Sequence, residues 1–311
     1  MSIDLERSYP TVKELQGEIH NVRRLADPDI KEWSATNLSV SYHKSTGYIA
    51  MFRSGNYIIT ERGKYTVTDR DFIRSKIYIA ELNPNTYKLK NVRLLDVVSL
   101  SEEGPLRRGL EDPKLFYRDD AWHFSCVTLE KNHTEKARMA VCKLNKELTE
   151  IVEFKKLAGV DISKPEKNWM TTDSVTPYFD WIYASNALVK DSIVTYTLSD
   201  KEQTGSLRGN TNLHLLKDGT YLAVMHRMWS KIIMEANIRH YVHYFVNFDQ
   251  RGVPIKMSKG FVFEYLGTEF AAGLCEQDEN FLISYGSKDV SSHIALLPKE
   301  TVLKSLQTIK D

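Results

Sequence analysis

Arg107-Arg108-Gly109-Leu110-Glu111-Asp112-Pro113-Lys114 sets two arginines, two adjacent carboxylates and a proline directly before the apolar run Leu115-Phe116-Tyr117. Carboxylates beside cations at a strand mouth are the groups that move a proton next to a bound anion. Proline fixes its own φ and steers the residue before it away from helix, so Asp112 is expected to be extended. In extended chain, neighbours point to opposite sides. One carboxylate would then face a cleft while the other braces Arg107 or Arg108. The same residues also make an ordinary turn, with Glu111 and Asp112 paired to Arg107, Arg108 or Lys114.

Comparable groups recur at other strand ends. Lys167, Asn168 and Trp169 precede a strand pair, and Arg208 and Asn210 lie in Leu207-Arg208-Gly209-Asn210-Thr211. His226 and Arg227 end one strand, Arg239, His240 and His243 begin the next, Glu269 precedes a small-residue strand, and Asp289 follows another. Each has a plain structural reading: Lys167 as a solvated charge, His243 as a sheet histidine, Glu269 as a turn carboxylate. Together they form a set of charged and amide groups at matching strand ends. Cations bind phosphate oxygens, carboxylates and amides bind hydroxyls, and Trp169 offers a stacking face. That is the chemistry of sugar and phosphate recognition.

The elements that must carry these groups are strands. Runs such as 46–53, 75–82, 113–129, 176–189, 212–226, 239–248 and 280–287 have strand chemistry. Asp119-Asp120 and Asp218-Gly219 sit where a hairpin turn needs positive φ. Helical periodicity is confined to 11–25 and to 298–309, where Pro298 precedes Val302, Leu303 and Leu306 on one face. Many hairpins with few helices imply an all-β sandwich, barrel or propeller. No WD or kelch signature marks the repeat. No linker or composition break divides the chain; residues 198–211 read as a loop, so 1–311 is expected to be one domain.

Composition narrows the classes. The 311 residues carry a net charge of +1, with 42% hydrophobic and 27% charged residues, which argues for a globular protein and against a bulk polyanion binder. No run approaches the ~18 apolar residues of a membrane span. The polar start at 1–20 is unlike a secretory signal, so a cytoplasmic protein is expected. Cys126, Cys142 and Cys275 lack metal-ligand spacing, and no metal or other cofactor is expected to be required.

The order of Asn37, Arg53, Glu111-Asp112-Pro113-Lys114, Glu166-Lys167-Asn168-Trp169, Arg208-Gly209-Asn210-Thr211, His226, Glu269 and Tyr285-Gly286-Ser287-Lys288-Asp289 resembles the β-mannoside phosphorylase family and its relatives over about 36–298. The resemblance implies a five-bladed β-propeller, here with short terminal helices, a propeller core at 36–298 and Asp112 as general acid of an inverting reaction. It carries the family's lysine, histidine and late aspartate onto Lys167, His226 and Asp289, and its early asparagine and strand-end arginine onto Asn37 and Arg53. Lys114 stands where the family has arginine. The segments 207–211 and 226–228 also depart from its pattern, bringing in Arg208 and Arg227, which suit a larger anion than orthophosphate.

Three functions fit. The first is a glycosyltransferase with a nucleotide-sugar or sugar-phosphate co-substrate and a hydroxyl acceptor, either a glycan or a hydroxymethylated base in phage DNA. The second is an inverting β-mannoside phosphorylase or glycoside hydrolase, and the third a non-catalytic glycan-binding propeller. In the enzymatic readings Asp112 handles the proton and Glu111 orients hydroxyls or the arginines. Lys167, Arg208, His226, Arg227 and Arg239 form the anion pocket. Glu269 and Asp289 hold sugar hydroxyls, and Asn37, Arg53, Arg108, Asn210 and His243 complete the substrate-binding set. The apolar segment 225–241 is open to three uses: capping the cleft, touching an acceptor or forming an oligomer.

Overall fold

In the computed structural model the described residues are 8–22, 33–60, 64–68, 72–98, 100, 106–128, 137–157, 165–183, 187–191, 193–197, 207–233 and 236–309. After β1 (Glu18–Val22), the first blade comprises β2 (Ser34–His43), β3 (Gly47–Gly55), β6 (Ser75–Leu82) and β7 (Leu89–Leu95), with β4 (Tyr57–Ile59) and β5 (Tyr65–Val67) inserted as a small hairpin. The second is β8 (Leu110–Arg118), β9 (Ala121–Thr128), β10 (Arg138–Leu144) and β11 (Ile151–Lys156). The third is β12 (Met170–Thr171), β13 (Trp181–Tyr183), β14 (Ala187–Lys190) and β15 (Ile193–Thr197). The fourth is β16 (Arg208–Gly209), β17 (His214–Leu215), β18 (Tyr221–Ile233), β19 (Ala236–Phe248) and β20 (Pro254–Met257). The fifth is β21 (Glu269–Gln277), β22 (Asn280–Ser287) and β23 (Ser291–Pro298), with β1 as its outer strand. This is a five-bladed β-propeller.

Strand alternation explains the ring. Each blade buries both faces, so odd and even residues of one strand enter different interfaces. Tyr221, Ala223 and Met225 of β18 pack against Met170, Ile182 and Leu188 of the third blade. Leu222 and Val224 pack against Phe281, Ile283 and Tyr285 of the fifth. In β8, Leu115 meets Met51 of the first blade while Phe116 meets Trp169 and Trp181 of the third. Leu38, Val40 and Phe52 meet Leu282 and Ile294. Both-sided burial is why these strands read as almost continuous apolar runs. At the axis, Ser39 Oγ donates to the Ala272 carbonyl at 3.0 Å and accepts from Leu115 N at 2.9 Å, tying three inner strands together.

The turns at Asp119-Asp120 and Gly219 form as the sequence implies: φ is 51° and 55° at the aspartates and 82° at the glycine. The N-terminal expectation fails. Val12–Gln16 forms a turn, and β1 follows it as a strand; 23–25 lies outside the described residues. Gly17 interrupts the helical pattern, and a Cβ there would meet the Leu296 carbonyl at 2.7 Å. The open edge of β23 supplies a ladder instead, from Glu18↔Leu296 to Val22↔Ser292. The C-terminal helix is also shorter than expected. It is α1 (Lys299–Ser305), after which Leu306 is extended and β24 (Gln307–Thr308) pairs with β20. Among the described residues no helix is long and apolar enough to cross a membrane.

A charged latch links three blades. His214 Nδ1 lies 3.1 Å from Asp173 Oδ2 and Nε2 lies 3.4 Å from Glu276 Oε1, while Lys299 pairs with the other oxygen of Glu276. Burial opposes the imidazolium, but hydrogen bonds to Asp173 and Glu276 outweigh it and push the His214 pKa up to about 9. A raised folded-state value means that its stabilisation is complete below the unfolded value near 6.5 and is lost as pH rises through 9. Melting curves of wild type and His214→Gln should therefore converge between these pH values, closing a gap of roughly 3–6 °C. A gap that does not change with pH removes the latch.

Candidate active site

Several of the singled-out residues sit at breaks in the ladders. In β2 the register shifts between Thr36 and Ser39, and Asn37 has φ 53°. In β8 it shifts between Glu111 and Lys114, and Asp112 has φ 50°. Asp112 is therefore left-handed, not extended. The bulge overrides the preference set by Pro113 and brings both neighbouring carboxylates to one side. Asp289 projects from a tight turn with Lys288, both at positive φ, closed by Val290 N donating to the Ser287 carbonyl at 3.0 Å. Asn and Asp adopt this conformation most readily among non-glycine residues, which suits them to these positions. Gly286 gives Asn37 its space: a Cβ there would come within 2.4 Å of Asn37 Oδ1.

Arg53, 3% exposed, is the hub. Its Nη1 lies 3.6 Å from Glu111 Oε1 and 3.4 Å from Asp112 Oδ1, and its Nη2 lies 3.5 Å from Asp289 Oδ2. Nη2 also donates to the Tyr57 hydroxyl at 2.5 Å, and that hydroxyl donates to Asp289 Oδ2 at 3.1 Å. Asn37 Nδ2 donates to Asp112 Oδ1 at 2.7 Å, and Lys167 Nζ to Glu111 Oε2 at 3.1 Å. Glu111 thus braces cations from other blades.

The electrostatics separate the acids. Burial pushes the Asp112 carboxyl up, but Arg53, Lys167 and the Asn37 amide outweigh it and hold the pKa below the ordinary value. Asp289 goes the other way: burial and the Asp112 and Glu111 charges raise it despite Arg53 and Tyr57. Lys114 lies 2% exposed and donates to the Trp169 carbonyl at 3.0 Å. Burial pulls its pKa down to about 7, opposed by Asp112.

The far side of the site belongs to the fourth blade. Arg208 pairs across the ladder with His226, which pairs with His243. With the Asn210 amide nitrogen turned toward the ring, Asn210 donates to His226 Nδ1 and accepts from Ala271 N at 3.1 Å. That leaves the proton on Nε2. Burial, His243 and the cations Arg208 and Lys114 hold His226 neutral, so it is a hydrogen-bonding group rather than the expected cation. Tyr241 stacks on it with centroids 5.1 Å apart. Arg239 donates to the Tyr65 hydroxyl at 3.0 Å, and Tyr65 leans on Tyr57 at 5.1 Å.

Five expected contributors have other settings. Trp169 is 1% exposed and packs on Trp181 and Phe116, so it offers no face for stacking. His243 is fully buried against Phe261 and Phe263, and burial takes its pKa down to about 3. Glu269 is also fully buried and accepts the Phe263 and Glu264 amides at 2.8 and 2.9 Å, which shapes a turn. Arg227 follows His226 in an unbroken strand and so points to its opposite face, 5.6 Å over the Tyr244 ring. Arg108 lies in an exposed bend, where its carbonyl accepts Ser75 N at 2.9 Å. Sequence reasoning missed Tyr57, Tyr65 and Tyr241, since nothing in the pattern separates them from the chain's other tyrosines.

The described residues hold no cluster of His, Cys, Asp and Glu arranged for a metal. Two Asp-x-Asp spacings, at 27–29 and 69–71, lie outside the described residues.

The sequence matches no family model, and no curated protein is similar enough to count as a relative. Solved structures are similar. A β-1,2-mannobiose phosphorylase from Listeria innocua has TM-score 0.61 at 13% identity, covering 93% of this chain and 99% of its own. A mannose phosphorylase from Leishmania mexicana, in complex with phosphate ion, has TM-score 0.57 at 12%, covering 96% and 94%. A GDP-Man-dependent mannosyltransferase from Leishmania mexicana has TM-score 0.57 at 13%, covering 90% of each. The chain shares the five-bladed propeller fold of these mannoside-processing enzymes.

Proposed function

We propose that the protein is a glycosyltransferase that moves a sugar from a nucleotide-sugar donor to a hydroxyl acceptor. The observation that carries this reading is an aspartate held ionised beside a row of cations. Asn37, Arg53 and Lys167 keep Asp112 as a carboxylate, which is ready to accept a proton rather than supply one. In transfer, the acceptor oxygen attacks the anomeric carbon and its proton passes to Asp112. The bond from that carbon to the donor oxygen breaks, its electron pair stays on the phosphate, and Lys167, Arg208 and Arg239 offset the charge. Asp289 and Glu111 hold sugar hydroxyls. The similar structures, two phosphorylases and a mannosyltransferase, support sugar transfer as the reaction class. The acceptor hydroxyl belongs to a glycan or to a flipped hydroxymethylated base in DNA.

Phosphorolysis is the second reading. It is favoured by Asp289, whose raised pKa provides a protonatable carboxyl sharing Arg53 with Asp112.

Asp112→Asn should lower turnover of a cleaved nucleotide sugar about 10²–10⁴-fold in a protein that circular dichroism shows to be folded at the assay temperature. Turnover within a few-fold of wild type removes Asp112 from the chemistry. Asn37→Ala deletes a hydrogen bond to a charged oxygen, worth roughly 1.5–3 kcal/mol. It should move the acid limb of kcat/KM upward by about 1–2 pH units, because Asp112 then protonates more easily. An acid limb that stays in place separates Asn37 from proton transfer.

A further inference from the structure

The two insertions in this propeller meet beside the acid cluster. β18 and β19 each run for 13 residues, and one side of the arm they form continues the face of His226. Register places Tyr241 opposite Met228 and Arg239 opposite Ser230 on that same side, two and four residues beyond His226. The β4–β5 hairpin brings Tyr65 to Arg239: the guanidinium lies 5.7 Å from the ring centre and donates to the hydroxyl at 3.0 Å. Tyr57 joins Tyr65 to the Arg53 hub. The Tyr57 hydroxyl donates to Asp289 at 3.1 Å, so an unbroken chain of contacts runs from Arg239 through Tyr65 and Tyr57 to the acids.

The two ends of that run of contacts differ in chemistry. Glu111, Asp112 and Asp289 present oxygen acceptors suited to sugar hydroxyls. The wall made by the arm and the hairpin presents tyrosine rings and guanidinium groups, which suit planar rings and phosphate oxygens. Its length also discriminates. From the Arg208–His226 rung to the Arg239–Ser230 rung is four residues, about 13 Å of strand. An orthophosphate would engage one end of such a wall and leave the other without an anion.

Resting on the transfer reading above, we infer that Tyr65, Arg239 and Tyr241 form, with Arg208, a subsite for the nucleoside diphosphate part of the donor. The base lies against the tyrosines and the diphosphate runs between the arginines, which places the anomeric carbon over Asp112. Three of its four residues, Tyr65, Arg239 and Tyr241, lie on the two insertions, and Arg208 lies on β16 of the fourth blade.

Calorimetric titration of UDP, GDP and orthophosphate into the full-length protein tests this. At least one nucleoside diphosphate should bind about tenfold or more tightly than orthophosphate. Arg239→Gln and Tyr65→Ala should each weaken it about tenfold or more, and weaken orthophosphate by a clearly smaller factor. Tyr65→Phe, which keeps the ring, should retain most of the affinity. Nucleotide binding no tighter than orthophosphate, or indifferent to both variants, overturns the subsite. If orthophosphate still binds and a sugar phosphate is still turned over through Asp112, the transfer chemistry survives that failure. If Asp112→Asn also leaves turnover unchanged, both readings fall.

Discussion

A single buried guanidinium holds the site together. Arg53 leaves β3 of the first blade and meets carboxylates from the second and fifth, so three blades share one cation. Removing one partner of a buried ion pair is costly because the others stay behind, desolvated and uncompensated. The cations of the cluster are unequal. Arg53 and Lys167 face Glu111, Asp112 and Asp289, while the third cation beside Asp112, Lys114, is pulled down by burial to about 7. Burial and the other two carboxylates raise the pKa of Asp289, while Asp112 keeps an amide donor and stays ionised. Two carboxyls sharing a guanidinium are thereby given different roles, which is how acid and base chemistry coexist in one pocket.

The propeller provides this arrangement through irregularity. Regular strands would send Glu111 and Asp112 to opposite faces; the bulge in β8 aims both at Arg53, and the bulge in β2 aims Asn37 at Asp112. The five interblade cores supply the rigidity. Each is closed by both-sided strand burial, and the ring is completed by β1 pairing with β23.

Much of this was readable from residue order. Apolar runs broken by Asp-Asp and Asp-Gly turns gave strands and hairpins, and the charged groups at strand ends gave Glu111, Asp112, Lys167 and Asp289, whereas Asn37 and Arg53 came only from the family resemblance. What failed did so for identifiable reasons. Residues 11–25 showed helical spacing, but a free strand edge and the crowded Gly17 decided otherwise. The pre-proline preference of Asp112 is local, and a tertiary bulge overrode it. Trp169, Glu269 and His243 have types suited to a ligand site, yet burial depends on neighbours in distant segments. Tyr57 and Tyr241 entered the site because hairpin lengths placed them there, which no local pattern encodes.

The claim on which the account depends is that Arg53 and Asn37 hold Asp112 ionised while Asp289 retains its proton more readily. Carbon-13 NMR titration of the aspartate carboxyl groups, assigned with Asp112→Asn and Asp289→Asn, measures this directly. The account predicts Asp112 titrating below the ordinary value of 3.8 and Asp289 above it. Asp112 titrating above 3.8, or both residues titrating together at that value, would contradict it.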